Sequence, residues 1–424
     1  MTFKASRLEL LSWCLYDFAD SSFTTIIVTV AYGLYFRTVV AGHLGTGADA
    51  LWGAAIAGSM LVVSLCTPVL GAIADLAGRK KPFLVGFALM SMVFTALLNT
   101  VEPGDLISGV LLFALANLGF EAAHVFYNGF LPEIATDDAL GRVSGHGWAL
   151  GYIGGLAALA LTYPLTRGGF GPENLARYRL AFPVVALFFL IFALPAFLLL
   201  RERAARSPAG ILGSARGGVR RLLATFHGVR RLPDLFRFLL AFFIYNDGVA
   251  TVIAFSGIYA MHVVGFTVGQ VYLLFLVTQI TAFAGAFAAG HLVDRLGARP
   301  TIVLGLLLWC GVVAGAAVSR SVPVFMVVAA GASVGMGWVQ TASRSLMGLL
   351  LPAGRNAEFF GFFGFTGKIS AILGPLLYGQ VAAATGSERA AVLSLLMFFV
   401  AGAVLMLRVD VAAGRTAAGR TVAS

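Results

Sequence analysis

The stretch WCLYDFADSS, residues 13–22, sets two aspartates, Asp17 and Asp20, inside an apolar run. Glu121, His124, Asp247, Arg344 and Lys368 stand in similar runs. An ionisable side chain in a membrane-length apolar segment costs several kcal/mol unless it is paired or hydrated, so such groups mark ion and solute pathways. Buried carboxylates can exchange protons or meet an ammonium group, and the two bases can meet a carboxylate. Imidazole has the proton affinity closest to neutral pH, which suits His124 to relaying protons.

Spacing gathers these groups on helical faces. Asp17 and Asp20 are three apart, and Ser21 and Thr24 extend their face. Asn117, Glu121, His124 and Asn128 form one stripe, and Ser333, Gly337, Gln340 and Arg344 form another. Asp20, Asp247 and Lys368 each lie about ten residues into their segments, roughly 15 Å at ~1.5 Å per residue, the middle of a hydrocarbon core. Opposite charges at one depth suit a zwitterion whose carboxylate meets Lys368 and whose ammonium meets an aspartate. The expected site is therefore Asp20, Asp247 and Lys368, with Tyr16, Asn246 and Gln340 as hydrogen-bonding neighbours. Asp17 or Glu121 would carry a coupling proton, with His124 beside them, although two close carboxylates also suit sodium. The competing reading is structural pairing: Arg344 with Glu121, Lys368 with Asp247 or Asp20, and His124 with Glu121.

The elements that must carry these residues are membrane helices. Only 11% of residues are charged and 59% are hydrophobic, with a mean hydropathy of +0.91. Too little polar surface remains to cover a soluble globule. Twelve apolar segments are long enough to span a bilayer: 11–36, 51–74, 82–100, 106–130, 145–166, 179–200, 236–261, 268–291, 300–318, 322–347, 358–384 and 390–408. The polar connection 201–235 divides them into six and six, giving a bundle over 1–200, a bundle over 236–410 and a tail over 411–424. Arg216, Arg220, Arg221 and Arg230, set against an apolar stripe from Ile211 to Phe226, make that connection either a basic interfacial helix or a solvated linker.

Of the 29 Lys and Arg, 21 fall on the side of the termini, which predicts that both termini are cytoplasmic. The formal charge of +10 follows from this bias toward anionic lipid and implies no nucleic-acid partner. Cys14, Cys66 and Cys310 lie apart and form neither a disulfide framework nor a metal pair. The GxSxG of Gly331, Ser333 and Gly335 lies within a helix rather than on a strand-to-helix elbow, so no hydrolase is expected. No nucleotide-phosphate or zinc signature appears, and no cofactor is expected.

The halves repeat. GAIADLAGRKKP, 71–82, follows the second segment, and GHLVDRLGARP, 290–300, follows the eighth. Asp75 and Asp294 would face the positive end of a helix dipole while Arg79 and Arg299 pair across to a neighbouring helix, forming a gate; a tight glycine turn with a capping aspartate is the alternative. Gly147, Gly151 and Gly155 predict close helix packing between the bundles.

GAIADLAGRKKP resembles the signature loop of the major facilitator superfamily. WCLYDFADSSF, NGFLPEIA, GRVSGHGWALGYIGG, IYNDGV and the run from Ser343 to Gly379 resemble its autophagy-related vacuole effluxer-like branch. The resemblance covers nearly the whole chain. It implies a fold of two six-helix bundles, secondary transport by alternating access, and amino-acid export in the eukaryotic relatives. It also implies that spans one, four, seven and ten line a central cavity, which places six of the seven charges there with Lys368 flanking, and that the signature loop latches the cytoplasmic side. The expected protein is a monomeric, proton-coupled amino-acid transporter of the cell membrane. A sugar or other polar metabolite is the alternative solute, and a non-transporting membrane sensor the alternative class.

Overall fold

In the computed structural model, residues 4–204, 232–352, 354–370 and 373–419 are described. The expected basic helix of the central connection lies outside them. Among the described residues, twelve helical spans are long and apolar enough to cross a bilayer: Arg7–Val40, Leu51–Ala77, Lys81–Thr100, Leu106–Ile134, Leu140–Thr166, Pro172–Leu199, Pro233–Gly257, Leu273–Leu296, Ala298–Val318, Val322–Leu350, Asn356–Thr385 and Glu388–Leu407, numbered here as spans 1–12. Leu61, Leu198 and Val327 are among the large apolar side chains left exposed on the outside. A surface so apolar needs lipid as its solvent. The aromatic-rich interior buries Trp13, Tyr32, Tyr127, Tyr245 and Trp309 almost completely.

Several spans are not uniform. Span 1 is α-helical over Arg7–Ser22 and becomes a π-helix over Phe23–Val30, directly after the two aspartates. π-Turns often accompany functional positions because they re-aim the side chains around them. Span 11 is carried by two α-helices, Asn356–Ile369 and Leu373–Thr385. The tail is partly helical, Val411–Ala417, and its Arg415 pairs with Asp137 at 2.6 Å.

Across the two bundles, span 5 packs on span 8 and span 2 on span 11. Glycines permit the approach. A Cβ at Gly145 would lie 2.6 Å from the Ala286 carbonyl oxygen, and one at Gly71 would lie 2.5 Å from that of Ala357. The stripe Gly147, Gly151 and Gly155 admits the opposite bundle at Gly147, where a Cβ would lie 2.9 Å from Arg344 Nη2, but mostly packs elsewhere. It seats span 1 within the same bundle: a Cβ at Gly147 would meet Asp17 Oδ2 at 2.5 Å, one at Gly151 would meet Ser21 Oγ at 2.9 Å, and one at Gly155 would meet Thr25 Oγ1 at 2.6 Å.

Candidate transport site

The buried charges form three pairs, and two of them tie the bundles together. Arg344 of span 10 reaches into the amino-terminal bundle. Its Nη1 donates to Asp17 Oδ2 at 3.0 Å and Asn128 Oδ1 at 3.4 Å, its Nε to Ser144 Oγ at 2.9 Å and its Nη2 to the Ser144 carbonyl at 2.6 Å. Its guanidinium lies 5.0 Å from the ring of Trp13 and 5.1 Å from that of Trp148. The planar fork and the aromatic faces together hold a cation that water cannot reach. Lys368 of span 11 pairs with Glu121 of span 4 at 2.5 Å. Asp20 pairs with His124 Nδ1 at 3.1 Å inside the amino-terminal bundle.

These pairings replace the expected ones. Arg344 takes Asp17, not Glu121. Lys368 takes Glu121, not Asp247 or Asp20. His124 takes Asp20, not Glu121. Helical faces are legible in sequence, but the partner on a facing helix depends on crossing geometry that no single-chain spacing contains. Exposure also separates the pairs. Asp17 and Arg344 are sealed, whereas the side chains of Glu121 and Lys368 keep 16% and 17% of their surface and that of His124 keeps 25%.

Asp20, Asp247 and Lys368 therefore do not pair with one another. Asp247 accepts the backbone N–H of Gly374 at 2.9 Å, and Asn246 donates to the Gly367 carbonyl at 3.1 Å and to Ser370 Oγ at 2.7 Å. Tyr16 lies in the aromatic core, its ring 4.8 Å from that of Tyr127 and 5.7 Å from that of Phe189. Gln340 is half-buried one turn before Arg344. One ligand atom each from Asp17, Asp20 and His124 lies within 4.8 Å of the others. Both carboxylates are already engaged, so a cation there would compete with Arg344 and His124.

A cavity of about 380 Å³ lies mostly in the carboxy-terminal bundle, lined by Tyr152, Gln279, Trp309, Ser333, Met336 and Tyr378 among others. None of the seven buried charges lines it. Asp20, Asp247 and Lys368 thus do not share this cavity. Tyr152 connects the two regions: its ring is 6.2 Å from that of Trp148, which covers Arg344.

At the end that carries both termini the bundles are latched twice. Asp75 Oδ2 accepts the N–H of Glu358 at 2.8 Å, and Asp294 Oδ1 accepts the N–H of Arg142 at 3.1 Å. Glu358 and Arg142 are each the third residue of their helices, whose own N-cap residues, Arg355 and Ala139, make no side-chain cap. An aspartate from the opposite bundle supplies each cap. The expected basic partners are corrected. Arg79 is exposed and Lys80 is the cation, 3.8 Å from Asp75 and bonded to Glu133. Arg299 donates to the Leu407 carbonyl at 2.6 Å, while Arg142 pairs with Asp294 at 3.0 Å. Lys80 stands in the first repeat and Arg142 in the run GRVSGHG, so both were visible as charges but not as partners.

Twelve spans in two six-helix bundles, charge pairs across the bundle interface and paired latches at one end define a transporter of the major facilitator superfamily. The profile of the family described as vacuole effluxer Atg22-like matches residues 46–419, and the chain belongs to that family. It is 30% identical over 410 residues to the MFS-type transporter YxiO of Bacillus subtilis, covering 93% of each chain. It is 23% identical to Autophagy-related protein 22 of Pichia angusta, covering 81% of this chain and 72% of that one. The solved structure of the proton:xylose symporter XylE shares the fold at a TM-score of 0.71 and 15% identity, covering 95% of this chain and 94% of that one.

Proposed function

We propose that this transporter moves a small zwitterion, with amino acids as the substrate class, in exchange for or together with protons. The observation that carries this reading is the Glu121–Lys368 pair, which joins the bundles at 2.5 Å while both side chains keep some exposure. A zwitterion is the solute that can substitute for both partners at once, its carboxylate at Lys368 and its ammonium at Glu121. Substitution would release one bundle from the other, which is the requirement of alternating access around a site at the repeat interface. Asp20 and His124, next along the same face, supply an exchangeable proton. Sodium at the Asp17–Asp20–His124 group is the competing coupling ion.

Positive charge concentrated toward the termini supports a cytoplasmic location for them, so the latched end is the cytoplasmic end and this conformation faces outward. The Bacillus subtilis relative, matched over 93% of each chain, supports the cell membrane over the vacuole of the family's description. The working unit is a monomer that transforms no substrate.

Counterflow into proteoliposomes tests the reading, with amino acids, sugars and organic acids as labelled solutes and a pH dye inside. Exchange of amino acids that vanishes in Lys368→Ala and Glu121→Gln is expected; wild-type rates in both variants would defeat it. The cavity favours a second reading, an uncharged polar solute. Buried Tyr152 Oη and Trp309 Nε1 make no hydrogen bond there, and rings and free donors of that kind suit a sugar. Sugar counterflow without amino-acid counterflow would select it.

A further inference from the structure

Asp17, Asp20 and Glu121 each have a basic side chain as partner, but Asp247 does not. Its residue is fully buried, its Oδ1 accepts the Gly374 N–H, and its Oδ2 makes no hydrogen bond. The elements around it bring no compensating charge among the described residues. Span 11 offers the backbone amides of Gly374 and Leu373. Phe398 and Phe399 of span 12 pack beside Gly248. Span 10 offers Ser343, bonded to the hydroxyl of Tyr245 at 2.7 Å, and Tyr378 is stacked on Phe255 at 4.2 Å. Lys368, the cation of span 11, is taken by Glu121. A bare carboxylate in that setting is held only by backbone amides of span 11, and a bound proton removes the cost.

The carboxylate also occupies a mechanical position. Asn246 and Asp247 are consecutive on span 7, and both hold span 11. Asn246 holds Gly367 and Ser370, and Asp247 holds Gly374. The fit at Gly374 leaves no room for a side chain, since a Cβ there would run into Thr251 Oγ1. Lys368, whose ammonium bridges the bundles, stands within the first of these grips, between Gly367 and Ser370.

We propose that Asp247 takes up the coupling proton on Oδ2 and that its charge sets the hold of span 7 on Gly374 of span 11. This rests on the proton-coupled reading above and moves the coupling proton from Asp20 and His124 to Asp247. The step is a proton transfer alone: a hydronium ion protonates Oδ2 and leaves water, and no other bond changes. The cavity reaches Val252 and Tyr378, about one helical turn from Asp247 and Gly374, which gives the proton its approach. With the proton gone, the full charge tightens the hold on the Gly374 amide, and protonation slackens it.

The test uses the full chain. Infrared spectra of the wild type in lipid at neutral pH should show the carbonyl stretch of a protonated, buried carboxyl. Asp247→Asn should remove that band, while Asp20→Asn and Glu121→Gln keep it. In proteoliposomes loaded with a radiolabelled L-amino acid mixture, Asp247→Asn should retain exchange at equal pH and lose solute-driven proton movement, and Asp247→Glu should restore it. A band retained in Asp247→Asn, or proton movement undiminished in that variant, overturns the proposal. Wild-type exchange without proton movement overturns the coupling premise instead, and the infrared band then shows separately whether Asp247 is protonated. A matched melting temperature for Asp247→Asn separates a lost proton site from a lost fold.

Discussion

The two repeat loops end in the same place and get there by different chemistry. In both, an aspartate caps the third amide of a helix in the opposite bundle, and the glycine four residues earlier lies against the same helix start. The first loop is sealed: the side chains of Asp75 and Lys80 keep 2% and 3% of their surface, and Lys80 also binds Glu133. The second is more open and takes its cation from the far side: Arg142 keeps 22% and belongs to the helix being capped. The first latch thus neutralises its aspartate within one bundle, and the second does so across the interface. Loss of charge in the first should weaken the fold, and loss in the second should shift the access equilibrium.

The largest effect follows from the sealed loop. Lys80→Ala leaves Asp75 and Glu133 buried without their cation, which should cost about 3–5 kcal/mol of stability. A thermal melt of the purified protein reads this, and an unchanged midpoint would erase the distinction between the loops. Next comes the close glycine. A methyl at Gly71 would meet backbone atoms of Ala357 and Glu358 at 2.5–2.7 Å, while one at Gly290 meets Arg142 Cα and the Gly141 oxygen at 3.0 Å. Gly71→Ala should cost roughly 1–3 kcal/mol and Gly290→Ala less, so the ranking of their melting temperatures checks the geometry.

Arg142→Ala should leave the melting temperature nearly unchanged and open the terminal end. Loss of a partly exposed pair is worth about 1 kcal/mol, several-fold in population. Spin labels at the exposed positions 79 and 295 would read the added long-distance fraction. An equal shift in Lys80→Ala would show that both latches act alike. Smallest of all, Arg79→Ala should move stability by no more than about 0.5 kcal/mol, and full loss of transport in that variant would restore the role that spacing first suggested for Arg79.

Much of the fold was legible because apolar length is a local property. The sequence segments and the observed spans agree to within a few residues at most ends, although span 6 begins at Pro172 rather than near 179. The two capping aspartates were legible because the motif repeats. The basic partners were not, since Arg79 and Lys80 are adjacent and only the turn geometry decides which of them points inward. Gly78, with φ +65°, ends the helix in the left-handed region and sets that choice.

The sequence by itself determined that seven ionisable groups must be buried in a membrane, which of them share a helical face, and that the chain is two related halves. Those properties depend on composition and helical periodicity, which act over a few residues. Only the tertiary structure decided that Arg344 meets Asp17, that Lys368 meets Glu121 and that Asp247 meets backbone amides of span 11 in place of a cation. Partner choice between helices depends on ångström-scale approach, set here by glycines on facing spans, and electrostatic energy in a low-dielectric interior changes steeply over that distance.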